Sequence, residues 1–530
     1  MLTTRLEVLR QMGLYNLLEN TSQVHPDKIA VVCGRKKFTY LQFKNRVDKL
    51  AGSLRSLRIK KGDRIAIFHQ NCHIFLESYF AVAKIGAVLV PINYRLNKED
   101  FDYIINDSQA KMLITQFEFY DQVDRDKYDV PLILVVAEGK DGENSASKSS
   151  LNYESLIKRG TNNPEHEVVI EDADTAQIYY TSGTTGRPKG VILTHGNNLE
   201  HARASASEFC LTPEDNWLHV SPLFHLADAW AVWAMTLSAA THVMIPCFES
   251  CSVLQSIQDH HVTLSNFIPT MLNILVNISG VQNYDFSSLR LILSGGAPIA
   301  RDVVKKVIKT FRCDYIQTYG MTETSPFLTI SKLSENMAAL SFEEKLHYKS
   351  KTGRPFSGIQ LKVIKENGCQ VKPNDKDVGE ILVKGKTITP GYWQLPEETT
   401  KRIINGWLHT RDLAVVDPEG FLTIVDRMDD QILSGGENVY SIEVEDVLYS
   451  HPAVLEAAVF GLSDPIWGEI VTAVVVKKEE GFDENDIIRY CKEKLAPFKS
   501  PKKVFFTDEL PKTGSLKIHK YKLREKYSKK

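Results

Sequence analysis

Between about Lys28 and Ile330 the chain alternates short runs of apolar, largely β-branched residues with stretches of helical periodicity. A strand buried on both faces reads as a continuous apolar run, and parallel neighbours need a helical crossover between them. The alternation therefore restricts this region to covered, largely parallel sheets of the α/β class. Ile29–Val32, Arg64–Phe68 and Val88–Pro91 are the clearest strands, and Phe75 to Ile85 reads as the helix between two of them. From about Gly353 to Asp426 the pattern changes to short strands separated by turn residues, which predicts a compact β-rich subdomain. The final hundred or so residues mix both patterns: helices over Ile442–Tyr449 and Glu484–Leu495, strands over Leu455–Phe460 and Val471–Val476. That predicts a small α+β domain. The polar run from Glu138 to Ser150 offers nothing to bury and reads as a surface loop.

The length of 530 residues suits roughly three to four structural units at about 150 residues each. Apolar residues at 43% and charged residues at 25% exclude wholesale disorder and an integral membrane protein. Lysine plus arginine (64) nearly balance aspartate plus glutamate (66), so there is no global field for nucleic acid and any anion must be gripped locally. The eight cysteines are scattered, without CxxC pairs or zinc spacing, and read as reduced thiols of a cytoplasmic protein. The N-terminus lacks the features of a signal peptide, the C-terminus is not a peroxisomal SKL address, and Val262–Tyr284 is too interrupted for a membrane span.

The sharpest chemical signal is the string Tyr180 to Val191, YTSGTTGRPKGV, directly after a strand-like run. Gly183 and Gly186 let the backbone turn tightly and present N–H groups. Thr181, Ser182, Thr184 and Thr185 add hydroxyl donors, and Lys189 adds charge. Such a loop suits a polyphosphate. It is not a Walker A sequence, whose lysine precedes Ser or Thr.

This string resembles the signature loop of the adenylate-forming superfamily, which includes acyl-CoA synthetases, luciferases and peptide-synthetase adenylation domains. The resemblance recurs in order along nearly the whole chain. Ser294 to Pro298 resembles the family's adenine segment, implying that Gly296, Ala297 and Pro298 line the base. Gln317, Thr318, Tyr319, Gly320, Met321, Thr322 and Glu323 match the next motif: the tyrosine ring on adenine, the Thr322 hydroxyl on phosphate, Glu323 on magnesium. Thr181 is implied as a second contact to that cation. Gly406 to Asp412 resembles the ribose-binding segment, with Asp412 accepting from the ribose hydroxyls and Arg427 near ribose and phosphate. Lys517, in Leu510 to Ile518, matches the lysine that serves adenylation, although Leu516 stands where the family usually has glycine.

The resemblance further implies a large N-terminal domain over 1–426, a hinge over 427–432 pivoting at Asp429, and a small mobile C-terminal domain over 433–530. Ser434, Gly435 and Gly436 then border the pantetheine of coenzyme A. Pro222 to Trp230 resembles the acid-side motif, with His225 beside the carboxylate. Asp228 is expected to face solvent or stand behind the site; the other reading has it bind a substrate amino group. Trp230 and Phe267, with Trp233 and Met271, are candidates for an apolar acyl wall, or equally for ordinary core.

The implied activity is AMP-forming ligation of an acid to CoA using ATP and Mg2+, with His225, Thr322, Glu323 and Lys517 as the catalytic set. A medium or long-chain fatty acid comes first as substrate, an aryl or alicyclic carboxylate second. A ligase that loads a carrier protein, an oxidative luciferase and a nucleotide-binding regulator without turnover are the competing classes. The expected partners are small molecules, with no nucleic acid and no membrane insertion; a homodimer is left open.

Overall fold

The computed structural model describes residues 13–124, 127–129, 133–137, 150–161, 168–181, 187–478, 481–512 and 518–528. The expected polar loop, Ser150 excepted, lies outside them. The chain divides into two compact units: Met1–Gln360 with Lys384–Ile403, and Leu361–Val383 with Ile404–Lys530.

The first unit is α/β. One sheet has seven strands, in the order Leu151–Asn152, Ile133–Ala137, Met112–Gln116, Arg64–Phe68, Val88–Pro91, Thr175–Thr181 and Lys189–Thr194. All neighbours run parallel except the last two, which form an antiparallel hairpin. The other has nine strands, whose central six (Asp314–Gly320, Leu291–Ser294, Leu264–Phe267, Asn216–His219, Thr241–Met244, Ile29–Cys33) are parallel. The helix His73–Lys84 matches the expected Phe75–Ile85 and is buried on every side. It packs on strands of both sheets, so no face of it needs to be polar. The interrupted apolar stretch read as core supplies the strand Leu264–Phe267 and the helix Pro269–Asn277.

The second unit combines the β-rich segment with the C-terminal α+β segment. Gln360–Ile364, Gly379–Lys384, Trp407–Val416 and Leu422–Arg427 form an antiparallel sheet with the short strand Ile403–Ile404. A second sheet contains Val454–Asp464 and Gly468–Lys477, covered by the helices Ser441–Tyr449, Glu484–Lys494 and Lys520–Tyr527. The buried Asp426 carboxylate joins the two parts by accepting from both the backbone N–H and the hydroxyl of Ser441. Leu361–Val383 and Ile404–Asp426 thus group with the C-terminal part, whereas the sequence resemblance put the division after Asp426. Among the described residues no helix is long and apolar enough to cross a membrane.

Candidate active site

In open α/β sheets ligands collect beyond the carboxyl ends of the strands. The register aligns those ends in the nine-stranded sheet: Phe267 pairs with Ser294, and Ser294 with Gln317. Three of the expected motifs therefore leave the same edge. Gly295–Pro298 follows one strand, Tyr319–Glu323 ends the next, and Val220–His225 follows Asn216–His219 two strands further on.

Gln317 and Thr318 are buried and tie these segments together rather than project from them. Gln317 Nε2 donates to Ala297 O (3.2 Å) and Thr318 Oγ1 to Ser294 O (3.0 Å). Gly296 has φ +88°, a conformation an L side chain resists, and it turns the exposed Gly296–Pro298 away from the strand. Tyr319, Gly320 and Met321 are half-buried.

Thr322–Thr324 forms a single 3-10 turn carrying Glu323. Tyr392 Oη donates to Glu323 Oε1 at 2.8 Å, and the Thr389 N–H donates to Glu323 O at 2.8 Å. Thr389 Oγ1 in turn donates to Ile192 O (2.6 Å), so one threonine fastens this turn to the Lys189–Thr194 strand. Burial and the Glu323 carboxylate together push the Tyr392 phenol up, which keeps it a donor. Glu323 is held from one oxygen, and among the described residues Oε2 has no partner. A hard divalent cation takes oxygen ligands and usually keeps phosphate oxygens and water. The donor type at Glu323 fits it, and among the described residues no cluster of three or more His, Cys, Asp or Glu competes for a metal. Tyr392→Phe should release that anchor and raise the Mg2+ concentration for half-maximal activity about tenfold, the low end of what loss of a hydrogen bond to a charged group costs, about 1.5–3 kcal/mol. A magnesium titration of pyrophosphate release measures this.

Thr181 and Lys189 face each other across the antiparallel hairpin. Ser182, Gly183, Thr184, Thr185 and Gly186 lie outside the described residues. Lys189, expected to bring charge to the phosphate loop, makes an ion pair with Glu398 at 2.7 Å. Its ammonium holds the Glu398 carboxyl below the usual range.

In the second unit Asp412 and Arg427 are cross-strand neighbours, with Nε to Oδ1 at 3.2 Å. Asp412 is almost fully buried and Arg427 largely exposed. Arg411 Nε reaches Asp429 Oδ2 at 3.2 Å, and Arg524 reaches Asp430 Oδ1 at 2.9 Å, so charged partners grip the expected pivot on both sides. Ser434–Glu437 is a two-residue hairpin with Gly435 at φ +63° and Gly436 at φ +84°. Positive φ at both central residues defines the type I′ turn. A Cβ on Gly435 would also come within 2.9 Å of the Trp467 ring. Lys517 lies outside the described residues; Lys512 and Ile518, which flank its loop, are joined in an antiparallel bridge.

His225 caps the helix Leu226–Leu237 and packs edge-on against Phe224 with ring centroids 4.6 Å apart. The structure does not bring Trp230 and Phe267 to an open wall beside it. Trp230 is 1% exposed and wedged among Trp217, Phe209, Phe327 and His201. Phe267 is wholly buried in the core beneath the nine-stranded sheet, with Met271. Asp228, expected to face solvent or stand behind the site, is fully buried and accepts hydrogen bonds from Trp217 and His219. The reason is helical phase: residue 228 turns inward toward the strands one turn after His225.

Family models match the chain twice: AMP-binding enzyme over residues 18–393 and AMP-binding enzyme C-terminal domain over 443–517. The chain belongs to the AMP-binding enzyme family. A 2-succinylbenzoate–CoA ligase of Bacillus cytotoxicus is 34% identical over 514 residues, covering 96% of this chain and 98% of the relative. A feruloyl-CoA synthase of an Amycolatopsis species is 34% identical over 521 residues, covering 98% of this chain and all of the relative. The o-succinylbenzoate CoA synthetase of Bacillus subtilis, solved with its acyl-adenylate intermediate, superposes with a TM-score of 0.82 at 31% identity, covering 96% of this chain and 98% of that one. That enzyme has also been solved with ATP and magnesium.

Within this AMP-binding family member, sequence reasoning missed Glu398, Tyr392 and Thr389. They lie between 66 and 209 residues from the groups they hold. Nothing local marks them. Trp467 was missed too, although Asp464–Gly468 carries a turn signal and places an exposed tryptophan against the Gly435 hairpin.

Proposed function

We propose that this enzyme joins an aryl or alicyclic carboxylic acid to coenzyme A by way of an acyl-adenylate. It is an AMP-forming acid–thiol ligase. In the first half-reaction a carboxylate oxygen attacks the α-phosphorus of ATP and the bond to pyrophosphate breaks. In the second, the thiol sulfur attacks the acyl carbon, AMP departs with the oxygen it gained, and the thiol proton passes to solvent. A poor leaving group is thereby exchanged for a good one without a covalent enzyme intermediate, so catalysis rests on positioning and electrostatics.

The reading assigns Gly296–Pro298 and Tyr319 to the base, Thr322 to phosphate, Asp412 and Arg427 to the ribose, and His225 to the acid. The Ser182–Thr185 loop would take the polyphosphate and Lys517 would lower the charge on the attacked phosphate. Mg2+, held through Glu323 and Thr181, supplies further charge neutralisation when bound. Gly435 and Gly436, with the exposed Trp467 beside them, offer a thin and partly aromatic surface to the thiol cofactor.

One observation carries the choice of acid. Relatives that align over nearly the whole chain act, by their names, on 2-succinylbenzoate and ferulate. The burial of Trp230 and Phe267 favours the ordinary-core reading of these residues over a wall of a long aliphatic tunnel. The aryl reading therefore stands ahead of the fatty acid that the sequence put first. All eight cysteines are free thiols, which suits the cytoplasm as location.

The test is pyrophosphate release over a panel of ring-bearing acids, fatty acids and amino acids, each with and without CoA, with the product identified by mass. Turnover of ring-bearing acids to CoA thioesters at least tenfold above fatty acids is expected. Preference for fatty acids, or release that no CoA thioester accompanies, would overturn the reading.

A further inference from the structure

Asp228 belongs to a chain of five fully buried polar side chains that runs from Trp217 to Thr236. Trp217 Nε1 donates to Asp228 Oδ1 at 2.9 Å, and His219 Nδ1 lies 2.9 Å from Asp228 Oδ2. His219 Nε2 is 2.9 Å from His242 Nδ1, and His242 Nε2 is 3.0 Å from Thr236 Oγ1. The two imidazoles lie on adjacent parallel strands, nearly coplanar in tilt at 10°. Asp228 and Thr236 come from opposite ends of one helix, Leu226–Leu237. The chain therefore pins that helix to the sheet at both ends.

A neutral His219 beside an ionised Asp228 gives the protons in this chain one order. Trp217 can only donate, so Asp228 Oδ1 accepts. An ionised carboxylate must also be met by a hydrogen at His219 Nδ1, because two facing lone pairs would repel. Burial keeps His242 well below its usual pKa and so neutral. With His219 in that form, Nε2 offers only a lone pair, which His242 Nδ1–H fills, and Thr236 donates to His242 Nε2. Every donor points toward Asp228, and no buried atom in the chain is left unmatched.

His225 stands one turn from Asp228 in the same segment, and its carbonyl accepts from Asp228 N (3.3 Å) and Ala229 N (3.1 Å). The segment is also tied by Asn71 Oδ1 to Leu223 N (2.8 Å), by Tyr79 Oη to Leu223 O (2.8 Å) and by Asn266 Nδ2 to Ala227 O (2.5 Å). Those three bonds hold the backbone. Among the described residues only Asp228 links the first turn, by side-chain hydrogen bonds, to the strand that leads into the His225 segment. We propose that Asp228, through the proton-ordered chain to His219, His242 and Thr236, is the positioning residue for His225 and never touches the substrate acid. This rests on the assignment of His225 to the acid.

The test is a double-mutant cycle on the adenylation step, with the chain's tautomers read separately. Asp228→Ala should lower kcat for pyrophosphate release about 10–100-fold while changing the KM of the acid less than about threefold, as a misplaced contact does. In a His225→Ala background the same substitution should cost less than about threefold, since its effect passes through His225. Equal loss in both backgrounds would overturn the positioning role. Asp228→Asn should recover activity to within about fivefold of wild type: its amide oxygen accepts from Trp217, its N–H donates to His219 Nδ1, and every later donor reverses. An Asn variant as poor as the Ala variant, or one that mainly raises the KM of the acid, would contradict the proposal. Nitrogen NMR of histidine-labelled protein should find Nδ1–H on His219 and His242 in wild type and Nε2–H on both in Asp228→Asn. The reverse pattern in wild type would sink the ordered chain, even if Asp228→Ala does not fold. Wild-type protein inactive on every acid would refute the ligase reading, while the nitrogen shifts would still decide the chain.

Discussion

Lys517→Ala is expected to slow formation of the acyl-adenylate by about two to three powers of ten and to leave thioester formation from supplied acyl-AMP within about twofold. The first half-reaction drives a carboxylate onto a polyphosphate. Two unit charges about 4 Å apart repel by roughly 4 kcal/mol at an effective dielectric near 20. At about 1.36 kcal/mol for each factor of ten, one missing cation accounts for nearly three decades. The second half-reaction has no such collision, because the acyl-adenylate is attacked at carbon and AMP leaves. Rapid-quench measurement of each half-reaction separates them. Equal loss of both would mean that the lysine holds structure rather than the attacked phosphate.

Asp429→Pro should do the opposite. The expected pivot is fastened by Arg411 to Asp429, by Arg524 to Asp430 and by Ser441 to the buried Asp426. A swing about residue 429 has to exchange the Arg411 and Ser441 contacts for others, and that requires freedom in φ at the pivot. Proline fixes φ near −65°. Adenylate formation is expected to persist within about threefold, and CoA thioester formation to fall about a hundredfold or more, as when a gating motion is blocked. Single-turnover assays started from ATP and from acyl-AMP test the split. Thioester formation at the wild-type rate would place the pivot elsewhere.

The parts of the fold that were readable in the sequence are those set by local chemistry. Ile65–Phe68 and Val88–Pro91 are continuous apolar runs, and a strand covered on both faces can be little else. The helix at His73–Lys84 was legible for the same reason. Its two-residue offset reflects Cys72, which caps it without a side-chain bond and so leaves no mark. The Gly435–Gly436 hairpin follows directly from two residues that tolerate positive φ.

What could not be read depends on register between distant segments. Glu398 neutralises Lys189, and Tyr392 steadies Glu323, only because residues Lys384–Ile403 fold back onto the first unit. Trp230 was readable from its spacing after His225 either as a pocket wall or as ordinary core, and five residues along a helix from a half-buried position place it in an aromatic core. Asp228 illustrates the same limit. Its carboxylate seemed out of place beside the histidine expected to border the acid until Trp217 and His219, on a neighbouring strand, supplied its partners.

The central claim is that the acid's own oxygen is carried away on AMP. It is tested most directly by running the complete reaction with ATP, Mg2+, CoA and a ring-bearing acid whose carboxylate is labelled with oxygen-18, then weighing the products. One labelled oxygen in AMP, none in pyrophosphate and one left in the thioester is the predicted result. Label in inorganic phosphate or pyrophosphate, or unlabelled AMP alongside labelled thioester, would contradict it.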